Sequence, residues 1–318
     1  MEKDVSIIKF QDETITVENK QNINLARFFI LLCSMFFCIN DSTLKVAHTE
    51  IPNLNFYLFI TFRTIFFGLF SYFFAYKENI KIQGFLNIKE KKWMMLRVLS
   101  NIFAIILFKM TFDYIRLGLT VSIVILCYLW GNFFSIYFFN EKFEMKYIVT
   151  CIVSIIGSYL IGLGEKNETE NNNGYGSTFI GVILALICSI VFMFTEMSSK
   201  VLGHIYNPHE LCLIISFYTM IFSFIFSCFD YETMIYSLNL KFFVYSMMNG
   251  FSNYGVNYFC IRALQLAQYN KVSYLNYTQI IFSLFAGVIF FGENLQSTDF
   301  IGAFLIIGYN YYSTIYFS

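Results

Sequence analysis

Apolar runs of about twenty residues recur along this chain, separated by short polar breaks. That is the length at which a helix crosses the hydrocarbon core of a bilayer. The run "ARFFILLCSMFFCIN", Ala26 to Asn40, carries a single charge. With 41 Phe and 23 Tyr in 318 residues, the aromatic content alone exceeds what one water-soluble core can bury. Apolar residues make up 57% and charged residues 13%, against about 45–50% and about 25% in soluble domains. The lipid bilayer is therefore the expected environment. Zero formal net charge leaves no basic face to neutralise phosphates, which argues against a nucleic-acid partner.

Spans are predicted near 25–46, 55–76, 93–112, 115–138 and 145–163. After the polar break "GEKNETENNNG", five more are predicted near 176–200, 209–229, 240–261, 271–291 and 297–317. The expected fold is an all-α integral membrane protein with ten transmembrane helices in two inverted five-helix repeats. Residues 1–24 read as a disordered cytoplasmic tail, 25–164 as the first repeat, 165–175 as an Asn-rich connecting loop and 176–318 as the second repeat. The tail lacks the apolar core and cleavage site of a secretory signal, so the first span is expected to direct insertion. Lys and Arg concentrate on one side of this threading, chiefly in "YKENIKIQGFLNIKEKKW", which places both termini in the cytoplasm of a plasma-membrane or internal-membrane protein. The sequon at Asn167 then faces outside or a lumen, and those at Asn40 and Asn276 fall inside apolar runs.

The two halves share landmarks at a separation of about 150 to 155 residues. Asp41 and Lys45 in "INDSTLKVA" return as Glu196 and Lys200 in "FMFTEMSSKVLG", each pair one helical turn apart. Pro52 and Pro208, the only prolines, both precede a second span. Glu141 in "FFNEKF" and Glu293 in "FFGENL" both close a fourth span, Gly157 and Gly308 lie in the fifth spans, and Arg97 and Asn101 correspond to Asn249 and Asn253. An odd number of spans per half makes the second half enter the membrane from the opposite face, an arrangement in which solute sites form between the halves. Asp41 and Lys45 would then stand at the outer mouth, and Glu196 and Lys200 at the inner one. The alternative is that each lysine only ends its helix and snorkels to the interface.

Within the spans, polar groups are costly unless they pair or line a cavity. Ser246, Asn249, Asn253 and Asn257 step along one face of the eighth span, with Tyr254 and Tyr258 beside them. Such amides suit a polar solute, or else hydrogen bonds between helices. Tyr274, Asn276, Tyr277 and Gln279 crowd the start of the ninth span, and some of them must face protein or water. Arg63 lies too deep in its span for easy snorkelling, which suits a buried partner or an anionic substrate. Lys109, Asp113 and Arg116 suggest an ion network at the outer edge, and the three histidines, near loop ends, are expected to be exposed. Ser154, Gly157, Ser158, Gly302, Ala303 and Gly308 would let the fifth and tenth helices approach closely, with a homodimer face as the alternative.

Together these features resemble the drug/metabolite transporter superfamily in its EamA-type, ten-span form, over nearly everything from Leu25 to Tyr316. "FFNEKF" and "FFGENL" are similar to the family's Glu-containing turn before each fifth helix, and "GAFLIIG" to its last-helix glycine pattern. Arg63 in "FITFRTIFFG" and Arg97 in "LRVLSNIFAIILF" stand where the family carries arginines. The resemblance implies secondary transport of a small-molecule metabolite, by exchange or proton coupling, with no cofactor. It departs where the family has proline ahead of each glutamate, for Tyr128 and Ile280 stand there. Without proline the fourth and ninth helices are expected to keep their backbone bonds and to lack that cause of a kink.

Other chemistries find little support in the residues. The eight cysteines lie in apolar runs without C-x-x-C spacing, which suggests neither disulfides nor a metal site. No P-loop, His-x-x-x-His, Gly-x-Ser-x-Gly or paired acids at catalytic spacing occur, so no catalytic residue is assigned. The competing readings are an intramembrane enzyme acting on lipids and a non-transporting scaffold.

Overall fold

A computed structural model of the chain describes residues 20–51, 54–80, 82, 90–139, 149, 152–153, 155–161, 175–229 and 238–316. The tail before residue 20, Pro52, Glu141, Ser154, Asn167 and most of the connecting loop lie outside the described residues, as does the Tyr274 side chain. All regular structure among the described residues is helical.

The first three helices are α1 (Lys20–Glu50), α2 (Phe56–Lys77) and α3 (Lys91–Thr111). The fourth apolar run is divided into α4 (Leu117–Val124) and α5 (Cys127–Phe139). Residues 155–161 are helical within the fifth run. The second half holds α6 (Tyr175–Gly203), α7 (Pro208–Cys228), α8 (Leu240–Leu266), the short α9 (Tyr269–Val272), a 3-10 segment Ser273–Thr278, α10 (Gln279–Phe291) and α11 (Ser297–Tyr316). Among the described residues, six stretches are long and apolar enough to cross a membrane: α1, α2, α3, the α4–α5 stretch, α6 and α7. The protein is an integral, multi-pass membrane protein.

Local chemistry starts several of these helices cleanly. Asn55 accepts from the Leu58 N–H at 2.9 Å, Asn239 from Phe242 at 2.8 Å and Asn207 from His209 at 3.1 Å. Each side chain satisfies a donor that the first helical turn would otherwise leave open. Pro208 follows at the first position of α7, where its missing N–H costs nothing.

Helices pair across the two halves. α1 lies mainly on α8 and α3 mainly on α6, while α2 packs on α7 and α8 and α10 packs on α1 and α4. Polar contacts then gather at two ends. At one end the C-terminus of α1 meets those of α3 and α10: His48 is 3.1 Å from Asp113, Lys109 is 3.8 Å from Asp113, and Lys45 is 2.7 Å from Glu293. Glu50 at the same end takes Lys241 at 2.7 Å and Tyr245 at 2.9 Å from the start of α8. The edge network foreseen for Lys109, Asp113 and Arg116 is thus formed, with Arg116 donating to the Asn294 carbonyl at 3.2 Å. At the other end the start of α7 meets the end of α2. His209, expected to be exposed, is instead buried; its Nε2 is 3.2 Å from the Glu78 carboxylate without hydrogen-bond alignment, and Nδ1 is 3.0 Å from the Tyr254 hydroxyl. Tyr254 and Tyr258 stack near it and exclude solvent.

The fourth and ninth spans correct the expectation of unbroken helices. Between α4 and α5 the ladder shortens to 3-10 type: Leu126 N–H donates to the Ile123 carbonyl, Tyr128 to Ile125 and Leu129 to Leu126, at 3.0–3.1 Å. The 3-10 segment Ser273–Thr278 interrupts the ninth span at the corresponding place. Proline is not needed for either break. "VSIVIL", Val121–Leu126, is rich in β-branched residues and "SYLNYT" in Ser, Asn, Tyr and Thr, all weaker helix formers. Residues 117–129 are buried, and their backbone stays paired inside protein, which is what the membrane interior demands.

Candidate functional site

A narrow cavity lies where α1, α2, α3, α6 and α8 converge. Its polar lining comes from both halves of the chain: Asn40, Arg63, Arg97 and Asn101 from the first, and Thr195, Glu196, Ser199, Asn253 and Asn257 from the second. Phe37, Ile105, Phe192, Val256, Cys260 and Ile261 complete the wall. Such a mixture of apolar surface with a few convergent polar groups is what small-solute sites present. A second, largely apolar cavity of about 330 Å³ shares Phe37 and Phe192 with the first and contains Asp41, Tyr128 and Gln279.

Arg97 is positioned by an amide chain: it donates to Asn257 Oδ1, and Asn257 Nδ2 donates to the Asn253 carbonyl at 2.8 Å and to Asn253 Oδ1 at 3.2 Å. Glu196 accepts from Cys260 Sγ at 3.1 Å, and Ser100 on α3 accepts from Thr195 on α6 at 2.9 Å. Asp41 accepts from Gln279 Nε2 at 3.0 Å and from Asn40 at 3.5 Å. The two repeated acids therefore point at cavities. Lys45, one turn further along α1, points at the end of the bundle, where Glu293 Oε1 holds it and also accepts from the Leu117 N–H at 3.3 Å. Lys200 is buried at the matching place on α6 and is engaged by the protein.

The amide stripe of α8 divides. Asn253 and Asn257 line the cavity, whereas Asn249 donates to the Asn40 carbonyl at 2.6 Å and to Thr43 Oγ1 at 2.7 Å, fastening α8 to α1. Tyr254 and Tyr277, both candidates from sequence, lie away from either cavity: Tyr254 joins the His209 stack, and Tyr277 is buried near Tyr128. A single-faced stripe could not separate them, because a helix advances 100° per residue and neighbours leave the face at once. Asn40, Asn101, Thr195, Ser199 and Cys260 were not singled out as site residues, and Arg97 entered only as a repeat landmark and through the resemblance. Asn101 one turn after Arg97 was the available signal. Among the described residues no group of His, Cys, Asp and Glu is placed to hold a metal.

The division of the stripe carries an expected outcome. Asn249→Leu removes two interhelical bonds, and each such bond in a membrane is worth about 0.6 to 2 kcal/mol. The variant should melt several degrees lower in detergent while keeping solute affinity within about twofold, whereas Asn257→Leu should do the reverse. Thermal melts and binding on the same samples check both.

Residues 179–309 match the EamA-like transporter family. That family is part of the drug/metabolite transporter superfamily, and the EamA segment covers α6 through most of α11. The match suggests a membrane transporter. A solved crystal structure superposes on this chain with a TM-score of 0.67 at 12% identity, covering 93% of this chain and 98% of the other. At that identity the likeness shows the fold alone. No curated protein matches the chain in sequence.

Proposed function

We propose that the chain is a secondary transporter that moves a small polar organic solute by alternating access, built as two inverted five-span repeats with both termini cytoplasmic. The observation that carries this reading is the cavity between the halves, to which each half contributes polar side chains. Cross-half pairing supports it further. If the first span corresponds to the sixth and the third to the eighth, the α1–α8 pair and the α3–α6 pair are the same contact made twice. The breaks at Ile125–Leu126 and Ser273–Thr278 also fall at corresponding positions. On this reading Lys45 and Glu293 close the outer mouth. Lys200, buried at the matching place on α6, would stand at the inner mouth. Asp41 and Glu196, both buried and facing cavities, are the carboxylates through which a proton could be coupled to solute movement.

The test is solute uptake and counterflow in liposomes that hold the purified protein, run against a metabolite panel, with reporter tags at both termini. Saturable flux accelerated by solute on the opposite side is expected, with both tags on one face. Conversion of a solute into a new chemical species would mean an enzyme. A folded sample that moves nothing would mean a scaffold, and tags on opposite faces would end the ten-span threading.

A further inference from the structure

Two arginines share the central cavity, and neither makes a direct ion pair among the described residues. Arg63 on α2 is 2% exposed and Arg97 on α3 is 4% exposed. The Nε and Nη1 donors of both guanidinium groups lack a hydrogen-bond partner among the described residues. The two nearest acids make their hydrogen bonds to other groups. Asp41 is held by Gln279 and Asn40 and faces the neighbouring cavity, while Glu196 is held by Cys260. No ion pair within 4 Å joins either arginine to either acid.

Buried charged donors are ordinarily paired, because desolvating them without a partner is costly. Four such donors belong to two residues that line one small cavity. Its charge has a sign: of the lining side chains two are guanidinium groups and one is a carboxylate, which leaves one positive charge over. Resting on the transporter reading above, we infer that Arg63 and Arg97 together bind an oxyanion of the transported solute, which is a small organic acid bearing a carboxylate or phosphate. Asn257 orients one prong by accepting from Arg97, leaving the remaining Arg97 donors for the ligand. Guanidinium matches the planar oxygen geometry of such groups better than an ammonium does. Asn40, whose Oδ1 is also unpartnered, and Asn253 would meet the polar body of the solute.

The experiment measures binding apart from transport. The full chain in detergent is melted with inorganic phosphate, glycerol 3-phosphate, acetate and lactate, and with the matched neutral amides acetamide and lactamide. At least one oxyanion should raise the melting temperature while its neutral partner does not, and the arm that responds tells phosphate from carboxylate. Arg97→Gln and Arg63→Gln should each weaken that binding by tenfold or more. Arg97→Lys, which keeps the charge and guards against a folding defect, should retain a part of it. Equal stabilisation by the neutral amides, or oxyanion binding unchanged in folded Arg97→Gln, would overturn the inference. Counterflow in liposomes separates the two readings. An oxyanion that binds and never crosses would refute transport and leave the site standing, whereas flux of a neutral solute with no oxyanion binding would do the opposite.

Discussion

Gly302→Leu should prevent recovery of a monodisperse protein, while Gly308→Leu in the same helix should be tolerated. At Gly302 an added Cβ would strike the Gly157 carbonyl oxygen and come within 2.9 Å of Ile161. At Gly157 it would come within 2.8 Å of the Gly302 carbonyl oxygen. The obstacle on each side is backbone, which no rotamer change can move, so the fifth span must part from α11. Overpacking a tight site costs about 1–3 kcal/mol where side chains can adjust, and a backbone clash exceeds that. A Cβ at Gly308 meets nothing nearer than Phe304 at 4.0 Å. Size-exclusion profiles and melting temperatures of the two variants in one detergent are the measurement. Equal behaviour of both would contradict the Gly157–Gly302 contact. That contact also seats the fifth and tenth spans on each other within one chain.

The second large effect is expected at the Lys45–Glu293 pair, whose side chains are 12% and 9% exposed. Lys45 also lies 4.4 Å from the centre of the Phe291 ring, a cation–π contact that adds to its attachment. Glu293→Gln keeps an acceptor for the Leu117 N–H and removes the counter-charge, leaving a nearly buried lysine alone. Breaking one side of a buried pair costs about 3–5 kcal/mol, whereas replacing both partners by neutral groups is close to neutral. The single variant should therefore lose most of its thermal stability, and Lys45→Met with Glu293→Gln should recover it. The double variant has no ion pair at that end, so a water-soluble thiol reagent should reach a cysteine placed at Asn40 faster than in the parent, in a background where Cys33 and Cys38 are serine. If the double variant is as unstable as the single one, the pair is not what holds α1 to the end of α10.

Much of this architecture could be read from residue pattern alone. Long apolar runs located the helices because a membrane offers the backbone no other partner than itself, so hydropathy and helix coincide. The paired landmarks led to Lys45, Glu293, Asp41 and Glu196, since a charge in lipid has few places to be. The pattern was weaker where polarity has two uses. Asn249 and Asn257 look alike in sequence, and only the approach of α1 makes one a fastener and the other part of a cavity wall. Tyr254 lines neither cavity and contacts His209, because the same ring that suits a solute also suits a buried histidine. The absence of proline misled over the fourth and ninth spans, where β-branched and hydroxylated residues weaken the helix by a less conspicuous route. Nor could any repeat landmark show that Arg97 bonds to Asn257 and not to Glu196 or Asp41, for that depends on how the helices approach.

Those interruptions have a mechanical consequence. A 3-10 coil rises about 2.0 Å per residue and an α coil about 1.5 Å, so rewinding Ser273–Thr278 would shorten the ninth span by about 3 Å. Because each residue there keeps its N–H, the rewound form loses no donor and the change can run in either direction. A stroke of that length, pulling on Glu293 at the far end of α10, is about what separates a bonded lysine from a released one. The segment before α10 would then act as an extensible rod whose far tip carries the Lys45 contact.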